Sequence, residues 1–148
     1  MDLGNESRPA TPKVPKGQPD FEVVARRILD LNATIINCHI ANDPDGAVLA
    51  DIVREQYRGS VAGYSHAGSG MGPIWGISMI NTLRRLDGER SKLTYVIVGR
   101  EKFKAIFFPT QSTTRNLIVG LLLSNDSDPI ATLLAVSKLI QAEMGRHQ

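Results

Sequence analysis

The sequence lacks most of the features that declare a function outright. Its one cysteine, Cys38, cannot close an intrachain disulfide. No apolar run is long enough to cross a bilayer, and no N-terminal apolar segment resembles a signal peptide. Lys plus Arg total 17 against 15 Asp plus Glu, and a net charge of +2 is too small for a groove built on phosphate neutralisation. Together these absences lead to the expectation of a cytoplasmic protein with no nucleic-acid partner and no membrane insertion. The triplets Asn5-Glu6-Ser7 and Asn32-Ala33-Thr34 match the glycosylation acceptor, but without secretion the match carries no weight.

Catalytic and metal-binding constellations are missing as well. Cys38 and His39 are neighbours, yet adjacent residues of a strand project to opposite faces and cannot act as nucleophile and base. His39, His66 and His147 show no ligand spacing. Asp43-Pro44-Asp45-Gly46 resembles the middle of a calcium loop, but aligning Gly46 with the loop's glycine puts Ala41 at the first ligand and Ile52 at the bidentate one. Gly68-Ser69-Gly70-Met71-Gly72 precedes a helix without the Lys-Ser/Thr of a phosphate loop, so a plain connector is preferred to an anion site. The carboxylate pairs Asp43/Asp45 and Asp126/Asp128 fall at turns and caps, where backbone bonding accounts for them. The expectation is a protein that is not an enzyme and that uses no cofactor and no metal.

What is present is an order of elements. At 148 residues and 16.2 kDa the chain fits one domain with a real core. Residues 1–19, with Pro9, Pro12, Pro15 and Pro19, read as a flexible tail, leaving 20–148 as the domain. Asp20 precedes a helix whose Phe21, Val24, Ala25, Ile28 and Leu31 share a face. Thr34–Ile40 then alternates, with Ile36, Cys38 and Ile40 on one side and Ile35, Asn37 and His39 on the other. The turn at 42–46 leads into a paired strand, Ala47–Val53. Five glycines in residues 59–72 mark a long loop.

Ile74–Leu86 forms the middle helix, with Pro73 at its first position. At about 100° per residue its Trp75, Ile77, Met79, Ile80, Leu83 and Leu86 sweep an apolar arc of roughly 200°, against the roughly 100° that packing on one sheet requires. Either residues 59–72 fold back to cover the surplus or a second chain does. Trp75 is core or interface anchor, and Arg84, Arg85 and Arg90 are a solvated helix end or a docking patch. Leu93–Val98, Ala105–Phe108 and Leu117–Leu123 spell an antiparallel meander. The last of them is apolar on both faces and should be central, under the first and last helices on one side and the middle helix on the other. Asp126-Ser127-Asp128-Pro129 then starts a final helix with Ile130, Leu133, Val136, Ile140 and Met144 on its apolar face and Lys138 and Arg146 toward its end.

The fold class is therefore α+β, a three-layer α/β/α sandwich with a five-stranded antiparallel sheet in the order α-β-β-α-β-β-β-α. That order resembles the roadblock family, the dynein light chain roadblock type related to longin and profilin-like domains, over about residues 20–144. The resemblance is carried by the Ile36–Ile40 strand, the turn Asn42-Asp43-Pro44-Asp45-Gly46 into Val48-Leu49-Ala50, the apolar middle helix, and Thr94–Val98 entering the meander. The residues 59–72 and the proline-bearing tail depart from the compact family pattern. The resemblance implies a homodimer, or a dimer with a related roadblock chain, in which second strands and middle helices meet and the sheets join. It further implies a non-catalytic scaffold or regulator for a Ras-like small GTPase. On that reading Ile77, Ile80 and Leu83 pack on the sheet or the partner helix, while Trp75, Met79, Arg84 and Arg85 approach the exposed platform. The alternative is a small-ligand sensor with a pocket between sheet and helix, where Asn37, His39 and Tyr95 would supply polar contacts.

Overall fold

The structure, a computed structural model, describes residues 19–43, 45–60, 72–86, 94–111 and 115–145. Residues 1–18 of the predicted tail, most of the glycine-rich segment, His66, Arg90, Arg146 and His147 lie outside the described residues, while Pro19, the last residue assigned to the tail, is buried.

Helix α1, Phe21–Leu31, begins where Asp20 accepts hydrogen bonds from the backbone N–H groups of Glu22 at 3.0 Å and Val23 at 3.3 Å. Strands β1, Ile35–Asn42, and β2, Val48–Val53, form a hairpin. In its turn the Asp45 carboxylate accepts from Ala47 N–H and from the Asn42 amide, both at 2.9 Å, and Gly46 takes φ +75, the conformation for which a glycine is needed. A single 3-10 turn, Glu55–Tyr57, follows β2. Helix α2 spans Gly72–Leu83. Strands β3, Val96–Gly99, β4, Phe103–Gln111, and β5, Asn116–Ser124, complete the meander, and α3 spans Pro129–Gly145. Asp128 caps α3 by accepting from Ile130 and Ala131 N–H, so Pro129 stands at the first helical position.

The sheet is antiparallel throughout, in the order β2-β1-β5-β4-β3. Strand β5 is central and covered on both faces. Leu117, Val119, Leu121 and Leu123 meet Ile28 of α1 and Val136 and Ile140 of α3, while Ile118 and Leu122 meet Ile77 and Ile80 of α2. Alternation in a strand apolar on both faces thus separates two cores. Pro109 is tolerated inside β4 because the β3 ladder ends at Phe107, so β4 is itself an edge at that point.

Four expectations need correction. The faces of Ile35 and Ile36 are exchanged: β1 carries a bulge against β5 between Ile35 and Asn37, so Ile35 joins Cys38 and Ile40 while Ile36 turns to the α2 side. In α1, Leu29 is buried and Leu31, at the last helical residue, is 45% exposed. In α3, Ile130 is 39% exposed and the buried face includes Thr132 and Glu143. The middle helix runs Gly72–Leu83 rather than Ile74–Leu86, with residues 84–86 in a turn beyond it.

Candidate interaction surface

Helix α2 is set on the sheet by three contacts of different kinds. The first is steric. A Cβ on Gly76 would lie 2.3 Å from the ring of Phe107, and one on Gly120, the cross-strand partner of Phe107, would lie 3.0 Å from it. The ring therefore occupies space that only two glycines leave open. The second is apolar, with Ile77 at 7% and Ile80 at 0% exposure in the core on this face. The third is ionic. Both guanidinium nitrogens of Arg84 bond both carboxylate oxygens of Asp43, at 2.8 and 2.7 Å, which ties the end of α2 to the β1–β2 turn.

These contacts sort the residues singled out by sequence. Ile77 and Ile80 face the chain's own sheet, and Arg84 is engaged with Asp43. Met79 and Leu83 are half-buried, and Arg85 is exposed. The backbone of Trp75 lies within α2, and its side chain falls outside the described residues. Two apolar residues of this segment are also open to solvent, Ile74 at 41% and Leu86 at 77%. With Ile77 and Ile80 buried, Ile74 and Leu86 remain exposed and Met79 and Leu83 half-exposed, an apolar surplus that the chain's own described core does not fully cover.

The sheet offers two further surfaces at its ends. Edge strand β3 exposes Ile97 at 38%, and Tyr95 just before it is 44% exposed. Ile97 pairs with Ile106 and so lies on the α1/α3 side, while Val96 and Val98 pack on the α2 side. Edge strand β2 exposes Val48 at 45% and turns a carboxylate inward. The Asp51 side chain is 6% exposed, accepts from the Asn37 amide at 2.6 Å, and lies 3.6 Å from His39 Nδ1.

The polar residues considered for a sensor pocket are not gathered. Asn37 and His39 are buried on the α2 side of β1, whereas Tyr95 lies at the β3 end, with β5 and β4 between. An open cleft of about 190 Å³ lies instead between α1 and α3, lined by Leu31, Asn32, Ile35, Asp128, Ala131, Thr132 and Ala135. Burial, and after it the Asp51 charge, pushes the Cys38 thiol far above its ordinary range, which suits a core position. Among the described residues no group of three or more His, Cys, Asp or Glu could hold a metal ion, and no helix is long and apolar enough to cross a membrane.

Sequence reasoning missed the glycine pair around Phe107, the Arg84–Asp43 bond and the clasp made by Arg54. Arg54 donates from Nε to the Ile35 carbonyl at 2.9 Å and from one terminal nitrogen to the carbonyls of Leu29 and Asn32 at 2.5 and 3.1 Å, closing the end of α1. None of these pairs has a local signature.

A five-stranded antiparallel sheet with one helix on one face and two on the other, in this strand order, is the α+β sandwich of the roadblock and longin-like class. Within that class the chain has the fold of roadblock/LC7 domains. It is similar to the roadblock/LC7 domain from Streptomyces avermitilis, with TM-score 0.61 and 11% identity over 83% of this chain and 93% of that one. It is also similar to Myxococcus xanthus MglB, with TM-score 0.60 and 10% identity over 93% and 96%, and to MglC of the same organism, with TM-score 0.53 and 11% identity over 86% and 96%. No family model matches the sequence, and no curated protein does.

Proposed function

We propose that the protein is a dimeric, non-catalytic roadblock-type scaffold that binds a Ras-like small GTPase and modulates or localises it, through a surface centred on α2. One observation carries this reading: after Ile77 and Ile80 have been buried on the sheet, α2 and the turn after it still leave Ile74 and Leu86 exposed and Met79 and Leu83 half-exposed. A monomer gains nothing from that surplus, and a partner would remove it from water. The likeness to roadblock/LC7 domains supports the choice of partner class, and an MglB structure described as having a tetrameric arrangement, TM-score 0.58, supports association between copies.

We place the joining edge at β3 rather than at the second strand that the resemblance implies. An inward carboxylate such as Asp51 on β2 is a common device for blunting an edge, whereas β3 has no charged residue and an exposed Ile97. Trp75 and Arg85 are assigned to the same surface on sequence grounds.

The test is sedimentation of the wild type and Met79→Glu, followed by capture of partners from host lysate loaded with GDP or a slowly hydrolysed GTP analogue. The expected result is a self-associated wild type that loses one association step with Met79→Glu without loss of helical signal, and retention of a Ras-like GTPase in one nucleotide state. A wild type that stays monomeric, or repeated capture without any GTPase, would overturn it.

A further inference from the structure

Helix α3 is apolar on its outer side as well as its inner one. Its exposed positions are Ile130, Ala131, Leu134, Ala135, Lys138, Gln141, Ala142 and Gly145, of which only Lys138 and Gln141 are polar. Leu134 is 57% exposed and Ile130 39%, on a helix at the surface of the domain. A surface helix of a monomer normally turns charge to this side. Directly beside the protruding Leu134 lies the cleft of about 190 Å³, whose walls include Ala131 and Ala135, one helical turn apart, and Leu31 of α1. The patch thus holds a knob and a hole.

Its charges are arranged in the same paired way. Lys138 is the only ionised side chain on the exposed face of α3, and the capping carboxylate Asp128 stands at the helix start. Ten residues separate them, about 15 Å along the axis. A two-fold axis near Leu133 and Leu134 would bring each Lys138 to the other copy's Asp128, each Leu134 toward the other copy's cleft, and the opposed helix dipoles into a favourable antiparallel arrangement. A patch whose knob fits its own hole and whose cation meets its own anion matches a copy of itself.

We propose that the outer face of α3, with the cleft beside it, is a self-association surface that receives a second copy of this chain, α3 against α3 in antiparallel sense. It lies on the opposite side of the sheet from α2 and does not depend on the dimer proposed there. If both contacts form, each chain carries two different two-fold interfaces, and the assembly grows beyond a dimer to a closed tetramer or an open chain.

The experiment is sedimentation velocity across a concentration series on the full chain, comparing the wild type, Leu134→Glu, Lys138→Glu, Met79→Glu and the double variant Met79→Glu/Leu134→Glu. The wild type should sediment faster than a dimer. Leu134→Glu should remove one association step, weakening it at least about tenfold, with circular dichroism and melting temperature unchanged because the side chain is exposed. Lys138→Glu should weaken the same step, and added salt should partly restore it by screening the new carboxylate from Asp128. The double variant should be a monomer. Association lost with Leu134→Glu but not with Met79→Glu would support this surface and remove the α2 dimer. The reverse pattern would overturn this surface and leave the α2 reading standing. A wild type that is monomeric throughout, or a Leu134→Glu variant that loses only binding to a different protein without change of mass, would also overturn it.

Discussion

The ring of Phe107 shows how one side chain can fix a helix. It lies across Gly120 on its own sheet and under Gly76 of α2, and a Cβ at these glycines would stand only 3.0 and 2.3 Å from it, which leaves no room for a methyl group at the helix. Alanine is the better helix former by about 1 kcal/mol, so propensity alone would make Gly76→Ala stabilising. Overpacking opposes it, at typically about 1–3 kcal/mol, and the closeness of the contact decides in its favour. Gly76→Ala is therefore expected to lower the midpoint of urea unfolding, and an unchanged or raised midpoint would show that Phe107 can move aside. Arg54 has a comparable role at the other helix layer, where its fork serves three carbonyls at once. Arg54→Lys keeps the charge but cannot reproduce the fork, and a loss of about 1.5–3 kcal/mol is expected for bonds from a charged donor. Cys38 is buried with its thiol pKa raised, so it should resist a maleimide in the native protein and react only on unfolding; rapid native labelling, read by mass spectrometry, would contradict that placement.

Elements were legible where a local rule suffices. Asp20 and the Asp128-Pro129 pair mark helix starts because capping and proline φ act within a few residues, and both caps form. The unbroken apolar run of β5 likewise marked it as central, because a strand apolar on both faces must be covered on both. What was not legible depends on geometry between distant segments. The extra residue Ile36 leaves no mark in composition, yet it exchanges the faces of Ile35 and Ile36. Arg84 and Asp43 are 41 residues apart, and nothing in a polar helix end announces a bidentate partner in a hairpin turn. The apolar excess of α2 could be read from sequence, while the division between Ile77 and Ile80 inward and Ile74 outward required the helix to be seated first.

The β1–β2 turn carries its own prediction at this scale. The Asp45 carboxyl is held below its ordinary value, first by the Ala47 N–H and then by the Asn42 amide. A carboxyl whose pKa is lower folded than unfolded stabilises the fold above the unfolded value, near about 4, and loses that contribution as pH falls through the folded one. Melting curves of wild type and Asp45→Asn should therefore differ at neutral pH and converge in acid. A constant gap across the series would mean that the turn's bonds do not depend on the charge.

At the scale of the whole molecule the sheet is closed on its faces and open at its ends. Strands β1 and β5, and β4 as far as Phe107, are flanked on both sides, so their amides should exchange slowly with solvent, while β2 and β3 each keep one row of backbone groups without a ladder partner in the described sheet. A dimer that joins two sheets must protect one of these rows and leave the other as it was. The wild type and Met79→Glu, which removes the α2 contact, provide the comparison. Association through β3 should slow exchange at Val96–Gly99 in the wild type relative to the variant, and leave Val48–Val53 unchanged. Protection appearing at Val48–Val53 instead would return the joining edge to the second strand, with Asp51 then buried in the seam. Equal exchange at both edges in a dimer would mean that α2 meets its partner without joining the sheets, and that the apolar surplus of the helix is enough for association by itself.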